Sequence, residues 1–262
     1  MDTKAPWVEP DAQEMTELLL RVMDGVNAQA FRRYGNRVLT GPFTGMIIPE
    51  RTPWADGNAS TKLIGTYEHE LHDVVETALW RRPEVVINVG CAEGYYAIGF
   101  ARRGLEVQAL DISEDSLRVL EEFGELNGVR DKITVYNGAH NPEELLFSEY
   151  DFTTRLYVID CEGEELTLID LDRCPSLLGA DIIVECHDFL RPGVSSALAD
   201  RLWKTHRVEI IRPRLPDLRL LEKLPTAINM LAVVEKRPMP CCWLACWANK
   251  RGAKAPNNPT GE

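Results

Sequence analysis

Seven short runs of β-branched and other apolar residues, separated by segments with helical patterning, occupy the chain from residue 85 to residue 234. Strands that alternate with helical segments of roughly 10–15 residues are typical of βαβ units, whose sheet is mostly parallel. Such sheets bind ligands at the carboxyl ends of their strands. The predicted strands are VVINV (85–89), VQAL (107–110), ITVY (133–136), LYVI (156–159), DIIVE (181–185), VEII (208–211) and INMLAVV (228–234).

The segments outside these runs suggest how the chain is divided. Apolar residues at helical spacing predict amphipathic helices from Asp11 to Tyr34 and from Leu71 to Leu79, and the proline- and glycine-rich stretch 41–60 predicts a loop or short hairpin. A chain of 262 residues is near the upper size for one hydrophobic core. We therefore expect an N-terminal helical extension with a substrate-covering loop (1–65), one α/β domain (66–240) and a C-terminal tail (241–262), in which CCWLACW forms an apolar strand or packing segment.

Composition limits the partners and the compartment. The net charge of −12 disfavours nucleic acid, because affinity for a phosphate backbone needs a basic surface. The N-terminus has no apolar signal region, and no window approaches the ~20 apolar residues of a membrane helix. Seven scattered cysteines fit reduced thiols. These features predict a cytoplasmic protein with no nucleic-acid or membrane partner.

A glycine loop follows the first predicted strand, in the sequence Asn88-Val89-Gly90-Cys91-Ala92-Glu93-Gly94. Two residues argue against a dinucleotide. Ala92 replaces the second glycine of the dinucleotide fingerprint, and Glu93 places a carboxylate where a pyrophosphate would bind. Asp111, at the end of the second strand, is suitably spaced to accept hydrogen bonds from ribose hydroxyls. A ligand that carries an ammonium and a sulfonium suits this acidic loop, and S-adenosylmethionine is such a ligand.

Four sequence pieces resemble the FkbM-like branch of class I methyltransferases: GTYEHEL (65–71), VINVGCAEGYYA (86–97), ELNGV (125–129) and VIDCEGEEL (158–166). The resemblance implies a Rossmann-like α/β fold, in which a seven-stranded sheet of order 3-2-1-4-5-7-6 has its last strand antiparallel. It also implies S-adenosylmethionine as cofactor and a hydroxyl group of a sugar, polyketide or other small molecule as acceptor. The chain departs from the family at Asn88, where an acidic residue is usual, and at Cys91-Ala92, where Ala-Asn is usual.

The predicted cofactor site combines the glycine loop with the ends of the neighbouring strands. The amide oxygen of Asn88 can accept a hydrogen bond from the cofactor's ammonium, and Glu93 can supply the missing charge. Ser113 has a second interpretation, as the cap of the following helix. The expected cofactor-binding residues are Tyr67, Glu68, Asn88, Gly90, Cys91, Ala92, Glu93, Gly94, Asp111, Ile112, Ser113, Gly138, Ala139 and Asp160.

Candidate catalytic residues follow the fourth and fifth strands. His187 is the expected general base, because an ordinary histidine pKa of about 6.5 allows proton transfer near neutral pH, and Asp188 or Glu185 would orient its ring. Asp160 would be a second base or a contact to cofactor or substrate. These four residues also leave open a Mg²⁺ site, although Cys186 and His187 are poor ligands for Mg²⁺ and no metal is assigned.

The sequence thus predicts an S-adenosylmethionine-dependent methyltransferase, of class EC 2.1.1, that methylates a hydroxyl of a small metabolite by in-line transfer. N-methylation, a nicotinamide-dependent oxidoreductase and a non-catalytic binding module are the alternatives. A homodimer is left open.

Overall fold

The computed structural model describes residues 12–50, 58–138, 141–145, 154–216, 232, 234–235 and 241–250. The helices in these ranges are α1 (Ala12–Tyr34), α2 (Ala59–Ile64), α3 (His72–Trp80), α4 (Tyr95–Arg102), α5 (Glu114–Leu126), α6 (Glu165–Leu168) and α7 (Val194–Leu202). The strands are β1 (Val85–Val89), β2 (Glu106–Asp111), β3 (Ile133–Asn137), β4 (Arg155–Ile159), β5 (Asp181–Cys186), β6 (His206–Ile211) and β7 (Cys242–Ala248).

These strands form one sheet of order β3-β2-β1-β4-β5-β7-β6, which confirms the predicted fold class and strand order. The strands β1 to β5 pair in parallel, whereas β7 runs antiparallel to both β5 and β6. A dinucleotide-binding Rossmann sheet has the order 3-2-1-4-5-6 and lacks this inserted antiparallel strand. The insertion of β7 between β5 and β6 therefore distinguishes the sheet from that of a nicotinamide-dependent enzyme.

The first six strands lie where the sequence predicts them, with ends that differ by one or two residues. The seventh strand of the sheet is β7, and the segment 228–234 predicted for it lies outside the described residues except for Ala232 and Val234, which belong to no strand. Both segments are apolar, and β7 is buried almost throughout, so it has no polar face to mark it as a strand. The sheet thus extends beyond residue 240, the predicted end of the α/β domain.

Two layers of apolar side chains cover the faces of the sheet. In β1, Val85, Ile87 and Val89 belong to one layer and Val86 to the other, because successive side chains of a strand point to opposite faces. The strands β1 and β5 are buried along their whole length, as expected for central strands with helices on both sides. This double cover leaves the strand ends as the places where polar groups can reach a ligand.

An ion pair links the end of α3 to β5 and β7. Arg81, just after α3, donates from Nε and Nη2 to the two carboxylate oxygens of Asp181, at 2.7 and 2.9 Å. The backbone N–H of Ala248 donates to the same carboxylate at 3.1 Å. Asp181 is the first residue of β5 and its side chain is buried, so it joins α3, β5 and β7.

The N-terminal segment packs on the outside of the α4 layer. The predicted first helix is confirmed as α1, in which Met23 and Val26 are buried but Leu18 and Val22 are largely exposed. The described residues after α1 include a β-bridge between Arg37 and Ile47, and Phe43 is buried edge-on against the rings of α4. This stretch is therefore anchored on the core of the protein.

Candidate functional site

Three neighbouring parallel strands end at the same level and bring their following residues together. Val89 in β1 is paired with Leu110 in β2 and with Ile159 in β4. Gly90, Asp111 and Asp160 therefore lie side by side at the carboxyl edge of the sheet, which is the place where such sheets bind ligands.

The glycine loop is held by backbone hydrogen bonds. The N–H groups of Gly90 and Cys91 both donate to Leu110 O, at 2.9 and 3.0 Å. Gly90 has φ of +68°, and a Cβ at this position would lie 1.6 Å from the carbonyl oxygen of Asp160. The need for glycine at position 90 thus comes from the close approach of β4, in addition to the left-handed backbone.

Asp111 connects the glycine loop with the turn after β2. Its carboxylate accepts hydrogen bonds from the N–H of Ala92 and the N–H of Ser113, each at 2.9 Å. Ser113 is the N-cap of α5 and accepts from Ser116 N–H at 3.2 Å, so the capping interpretation of Ser113 is confirmed. A carboxylate has about four lone-pair positions, so Asp111 keeps acceptor capacity for ligand hydroxyls.

A cavity of about 520 Å³ opens at these strand ends. Six of the predicted cofactor-binding residues line it, together with four residues that the prediction did not include. Its described lining consists of Val89, Gly90, Ala92, Asp111, Ile112, Gly138, Asp160, Cys161, Glu162 and Glu164. Ile112 is 66% exposed and offers an apolar surface beside the Asp111 carboxylate, an arrangement suited to a nucleoside whose base packs on an aliphatic side chain and whose ribose is hydrogen-bonded.

The other predicted cofactor residues lie elsewhere. Tyr67 packs edge-on against Tyr95, and the buried carboxylate of Glu68 accepts a short hydrogen bond from the Tyr96 hydroxyl. Asn88 donates to Val158 O at 3.3 Å, and its buried Oδ1 has no hydrogen-bond partner among the described residues. Cys91 and Glu93 are buried, and a Cβ on Gly94 would touch Leu120. Ala139 lies outside the described residues.

His187 follows β5 and is surrounded by carboxylates. Its Nδ1 lies 2.5 Å from Oε1 of Glu165, which also accepts from Gly163 N–H at 3.0 Å. Its Nε2 faces carboxylate oxygens of Glu162, Asp160 and Glu185, at 3.3, 3.6 and 3.9 Å. His187 is 3% exposed, so the protein holds an almost buried imidazole in a strongly acidic environment.

The hydrogen-bond partners determine the tautomer of His187. Burial acts to raise the pKa of Glu165, but the hydrogen bonds from His187 and Gly163 outweigh it, so the pKa of this carboxyl lies below its ordinary value. Glu165 is therefore an acceptor, and Nδ1 of His187 must carry the proton. When the ring is neutral, Nε2 holds the lone pair and faces Asp160 and Glu162, both of which line the cavity.

The same cluster shifts the pKa values of His187 and Asp160. Burial acts to lower the pKa of His187, but the hydrogen bond to Glu165 and the nearby carboxylates raise it above its ordinary value. Burial raises the pKa of Asp160 to about 6; the charge of His187 opposes this shift, and Glu162 and Glu165 add to it. A histidine with a raised pKa and an aspartate with a pKa of about 6 thus lie next to the cavity.

Asp188 has a different position from the one expected. Its Oδ1 accepts hydrogen bonds from the N–H groups of Gly193 and Ser195, at 3.1 and 3.3 Å, and so caps the start of α7. The partner of the His187 ring is Glu165, which the sequence analysis did not single out. Glu164 and Glu165 are adjacent after Gly163, and only the first turn of α6 shows which carboxylate points towards His187.

Two groups of side chains in the described part of the chain have the spacing of metal ligands. Asp160, Glu162 and His187 form one group and Glu185, His187 and Cys241 the other, with ligand atoms within 4.8 Å of one another. Of the four residues considered for Mg²⁺, Asp160, Glu185 and His187 lie together. Asp188 uses its Oδ1 to cap α7.

Comparison with protein families gives no match, and comparison with curated proteins gives none either. Among solved structures, a putative O-methyltransferase from Klebsiella pneumoniae is similar, with 13% identity, a TM-score of 0.47 and coverage of 93% of this chain and 92% of the other. An rRNA methylase from Streptococcus thermophilus has 13% identity and a TM-score of 0.47, with coverage of 68% and 96%.

A third similar structure is a tRNA (uracil-54, C5)-methyltransferase from Pyrococcus abyssi in complex with S-adenosyl-L-homocysteine. It has 15% identity and a TM-score of 0.45, and the match covers 76% of this chain and 41% of the other. At these identities and TM-scores, none of the three similarities assigns a function to this chain. Within the described residues, no helix combines the length and the apolar character needed to cross a membrane.

Proposed function

We propose that the chain is an S-adenosylmethionine-dependent methyltransferase that transfers a methyl group to a hydroxyl of a small metabolite. The observation that carries the proposal is the cavity at the ends of β1, β2 and β4, with Gly90 at its back, Asp111 and Ile112 on one side and Asp160 on the other. The antiparallel β7 and the resemblance of four sequence pieces to FkbM-like enzymes support a methyltransferase over an oxidoreductase.

In this proposal the nucleoside part of the cofactor lies near Asp111 and Ile112. The Asp111 carboxylate is already fixed by two backbone N–H groups, so it can accept hydrogen bonds from ribose hydroxyls without losing side-chain freedom. The positively charged part of the cofactor lies towards Asp160 and Glu162, where carboxylates favour a cation. Glu93 is buried and is not among the described lining residues, so we assign this charge to the β4 end instead.

In this proposal His187 receives the proton of the acceptor hydroxyl by way of Asp160 or Glu162, which line the cavity, because His187 itself is 3% exposed and is not among the described lining residues. Glu165 fixes the Nδ1–H tautomer, so the lone pair of Nε2 is directed towards the carboxylates that line the cavity. The Glu165 carboxylate also stabilises the imidazolium that forms when the proton is transferred, as a carboxylate does in a catalytic triad. The enzyme then needs only to align the hydroxyl oxygen, the methyl group and the sulfur.

The substrate-covering role expected of the loop in the N-terminal extension (1–65) gains no contact from the described residues. Phe43, Met46 and Leu63 are buried in the core, and no described residue of this segment lines the cavity. Residues 51–57 lie outside the described ranges.

The test is calorimetric titration with S-adenosylmethionine, S-adenosylhomocysteine and NAD⁺. Binding of the two sulfur ligands, but not of NAD⁺, supports the proposal, and binding of NAD⁺ alone overturns it. The variant Asp111→Ala should weaken binding of S-adenosylhomocysteine by about 10- to 150-fold, which corresponds to about 1.5–3 kcal/mol for charge-assisted hydrogen bonds.

The matched control is Asp115→Ala. It removes a carboxylate four residues further on that is 92% exposed and is not among the lining residues of the cavity. Affinity should stay within about twofold of the wild type, because exposed charges at this distance are screened. Equal losses in both variants would remove Asp111 from the ribose-binding role and reduce the effect to net charge.

A further inference from the structure

Two cysteines lie opposite each other where β5 ends and β7 begins, next to His187 in the chain. Cys186 is the last residue of β5 and Cys242 the first of β7, and the two are paired in the antiparallel register. Residues directly opposite each other have Cβ atoms about 4.5–5.5 Å apart on the same face of the sheet. Opposite residues in an antiparallel pair generally have Cα atoms about 4.5–5.5 Å apart, a range that a disulfide spans. Both cysteines are free thiols.

The surroundings of the two sulfur atoms differ. Cys186 is fully buried, whereas Cys242 is partly exposed. The Cys186 thiol donates to Val184 O at 4.0 Å, whereas the sulfur of Cys242 has the Cys186 thiol, Ser195 and Arg212 as neighbours that favour negative charge there. The Cys186 thiol is the largest influence, and the pKa of Cys242 is lowered to about 7 although burial and Asp188 act in the opposite direction. The same contact raises the pKa of Cys186, so the charge of the pair lies on Cys242. A partly exposed thiolate in a hydrogen-bonded site is the typical form of a reactive cysteine.

Cys246 shows what an ordinary cysteine of the same strand is like. It lies on the same face of β7 as Cys242, four residues further on, and its partner in β5 is Ile182. Burial raises its pKa to about 12. The strand thus offers one partly exposed cysteine with a thiol partner and one buried cysteine without.

We propose that Cys242 and Cys186 form a redox-active pair that hydrogen peroxide oxidises reversibly to a disulfide. The Cys242 thiolate attacks the O–O bond, so that an S–O bond forms, hydroxide leaves and takes up a proton, and Cys242 becomes a sulfenic acid. The Cys186 thiol then loses its proton, its sulfur bonds to the sulfur of Cys242, and water leaves. The peroxide is reduced to two waters, and the two thiols lose two electrons.

This pair lies one peptide bond from the proposed proton acceptor, because Cys186 precedes His187. A disulfide of about 2.05 Å joins the end of β5 to β7 more tightly than a thiol contact does. Oxidation is therefore expected to shift the His187 ring resonances in an NMR spectrum. The formation of the disulfide does not depend on the proposed methyl transfer.

The experiment treats the reduced, full-length protein with hydrogen peroxide, alkylates the remaining thiols and maps the cysteines by mass spectrometry. The expected product is a Cys186–Cys242 link that dithiothreitol reverses, in the wild type, in Cys246→Ser and in Cys241→Ser. The last variant removes the neighbouring thiol, so that the bridge is assigned without ambiguity. A link through Cys241, or oxidation of Cys242 no faster than that of Cys246, would overturn the proposal.

A second measurement follows alkylation of each cysteine by iodoacetamide as a function of pH. Cys242 should react half-maximally near pH 7 and, at that pH, at least about tenfold faster than Cys246, because the thiolate is the nucleophile. In Cys186→Ala the midpoint for Cys242 should move upwards, and peroxide should leave a sulfenic acid that dimedone traps. The wild-type and Cys246→Ser measurements decide the proposal even if the buried site at Cys186 does not tolerate alanine.

Discussion

Replacing Glu165 with glutamine tests whether this residue sets the protonation of His187. The change keeps the size of a side chain that is fully buried, but it removes the charge that faces Nδ1 at 2.5 Å. The amide oxygen of glutamine can still accept from Nδ1–H and from Gly163 N–H. The remaining carboxylates, Asp160, Glu162 and Glu185, face the other ring nitrogen and stay in place.

The magnitude follows from the strength of a hydrogen bond to a charged group. Such a bond contributes about 1.5–3 kcal/mol, whereas a neutral one contributes about 1 kcal/mol. The difference of about 0.5–2 kcal/mol corresponds to a fall of about 0.4–1.5 in the pKa of His187, at 1.36 kcal/mol per pKa unit. Burial, which opposes the charged ring, then has less to counter it, so the pKa of His187 should approach or fall below its ordinary value.

The assay is an NMR titration of the His187 Cε1–H resonance, assigned among the five histidines with a His187→Gln variant. The matched control is Asp188→Asn, which also removes a carboxylate next to His187 in the sequence but keeps a side chain that can cap α7. The pKa of His187 should change by less than about 0.3 in this control, because screening weakens a charge that makes no direct contact. If Asp188→Asn lowers the pKa as much as Glu165→Gln does, or if Glu165→Gln leaves it unchanged, the assignment of Glu165 is wrong.

Three further predictions concern stability. Glu165→Gln should lower the unfolding free energy most between about pH 4.3 and 6.5, where Glu165 and His187 are both charged in the unfolded chain. The loss should become smaller as the pH rises through the raised pKa of folded His187. Chemical denaturation across about pH 5–9 measures this dependence. Gly90→Ala should lower the unfolding free energy by about 3 kcal/mol or more, because the added Cβ strains the left-handed backbone and overlaps the carbonyl oxygen of Asp160. The control Gly128→Ala, with φ of +66° and no atom within 4 Å of the added Cβ, should lower it by about 1 kcal/mol. Equal losses would contradict the packing argument. Arg81→Met should lower the unfolding free energy by about 2 kcal/mol. This is less than the roughly 3–5 kcal/mol of a fully buried pair, since Arg81 is 23% exposed. A cost below about 0.5 kcal/mol in urea denaturation would show that Asp181 is satisfied without Arg81, with Ala248 N–H as a remaining donor.

The positions of β1 to β6 could be predicted because each strand is a short apolar run bounded by residues that end it. The seventh strand could not be placed in the same way. The stretch 228–234 and the strand Cys242–Ala248 are both apolar and of strand length, and strands buried on both faces lack the alternation that distinguishes one candidate from another. Pairing with β5 and β6 selects Cys242–Ala248, and the pairing with β5 joins residues about sixty positions apart in the chain.

The candidate site likewise has residues whose positions the sequence predicts and residues whose positions it does not. Gly90, Asp111 and Asp160 follow strands that the sequence predicts, and the parallel order of those strands is enough to bring them together at one edge. Asp188 and Glu165 are different, because the neighbour of a residue in the sequence need not be the neighbour of its side chain. Asp188 turns towards the start of α7, and Glu165, twenty-two residues before His187, lies against its ring.

By itself, the sequence determined the alternation of strands and helices, the glycine loop and the acidic residues at the strand ends, because these depend on local patterns of polarity and backbone freedom. Only the tertiary structure decided which carboxylate holds His187, why position 90 must be glycine and which cysteines face each other. Each of these depends on contacts between distant segments, such as the 1.6 Å separation from Asp160 O that a Cβ on Gly90 would have. Such contacts are set by the packing of whole elements, and no local pattern encodes them.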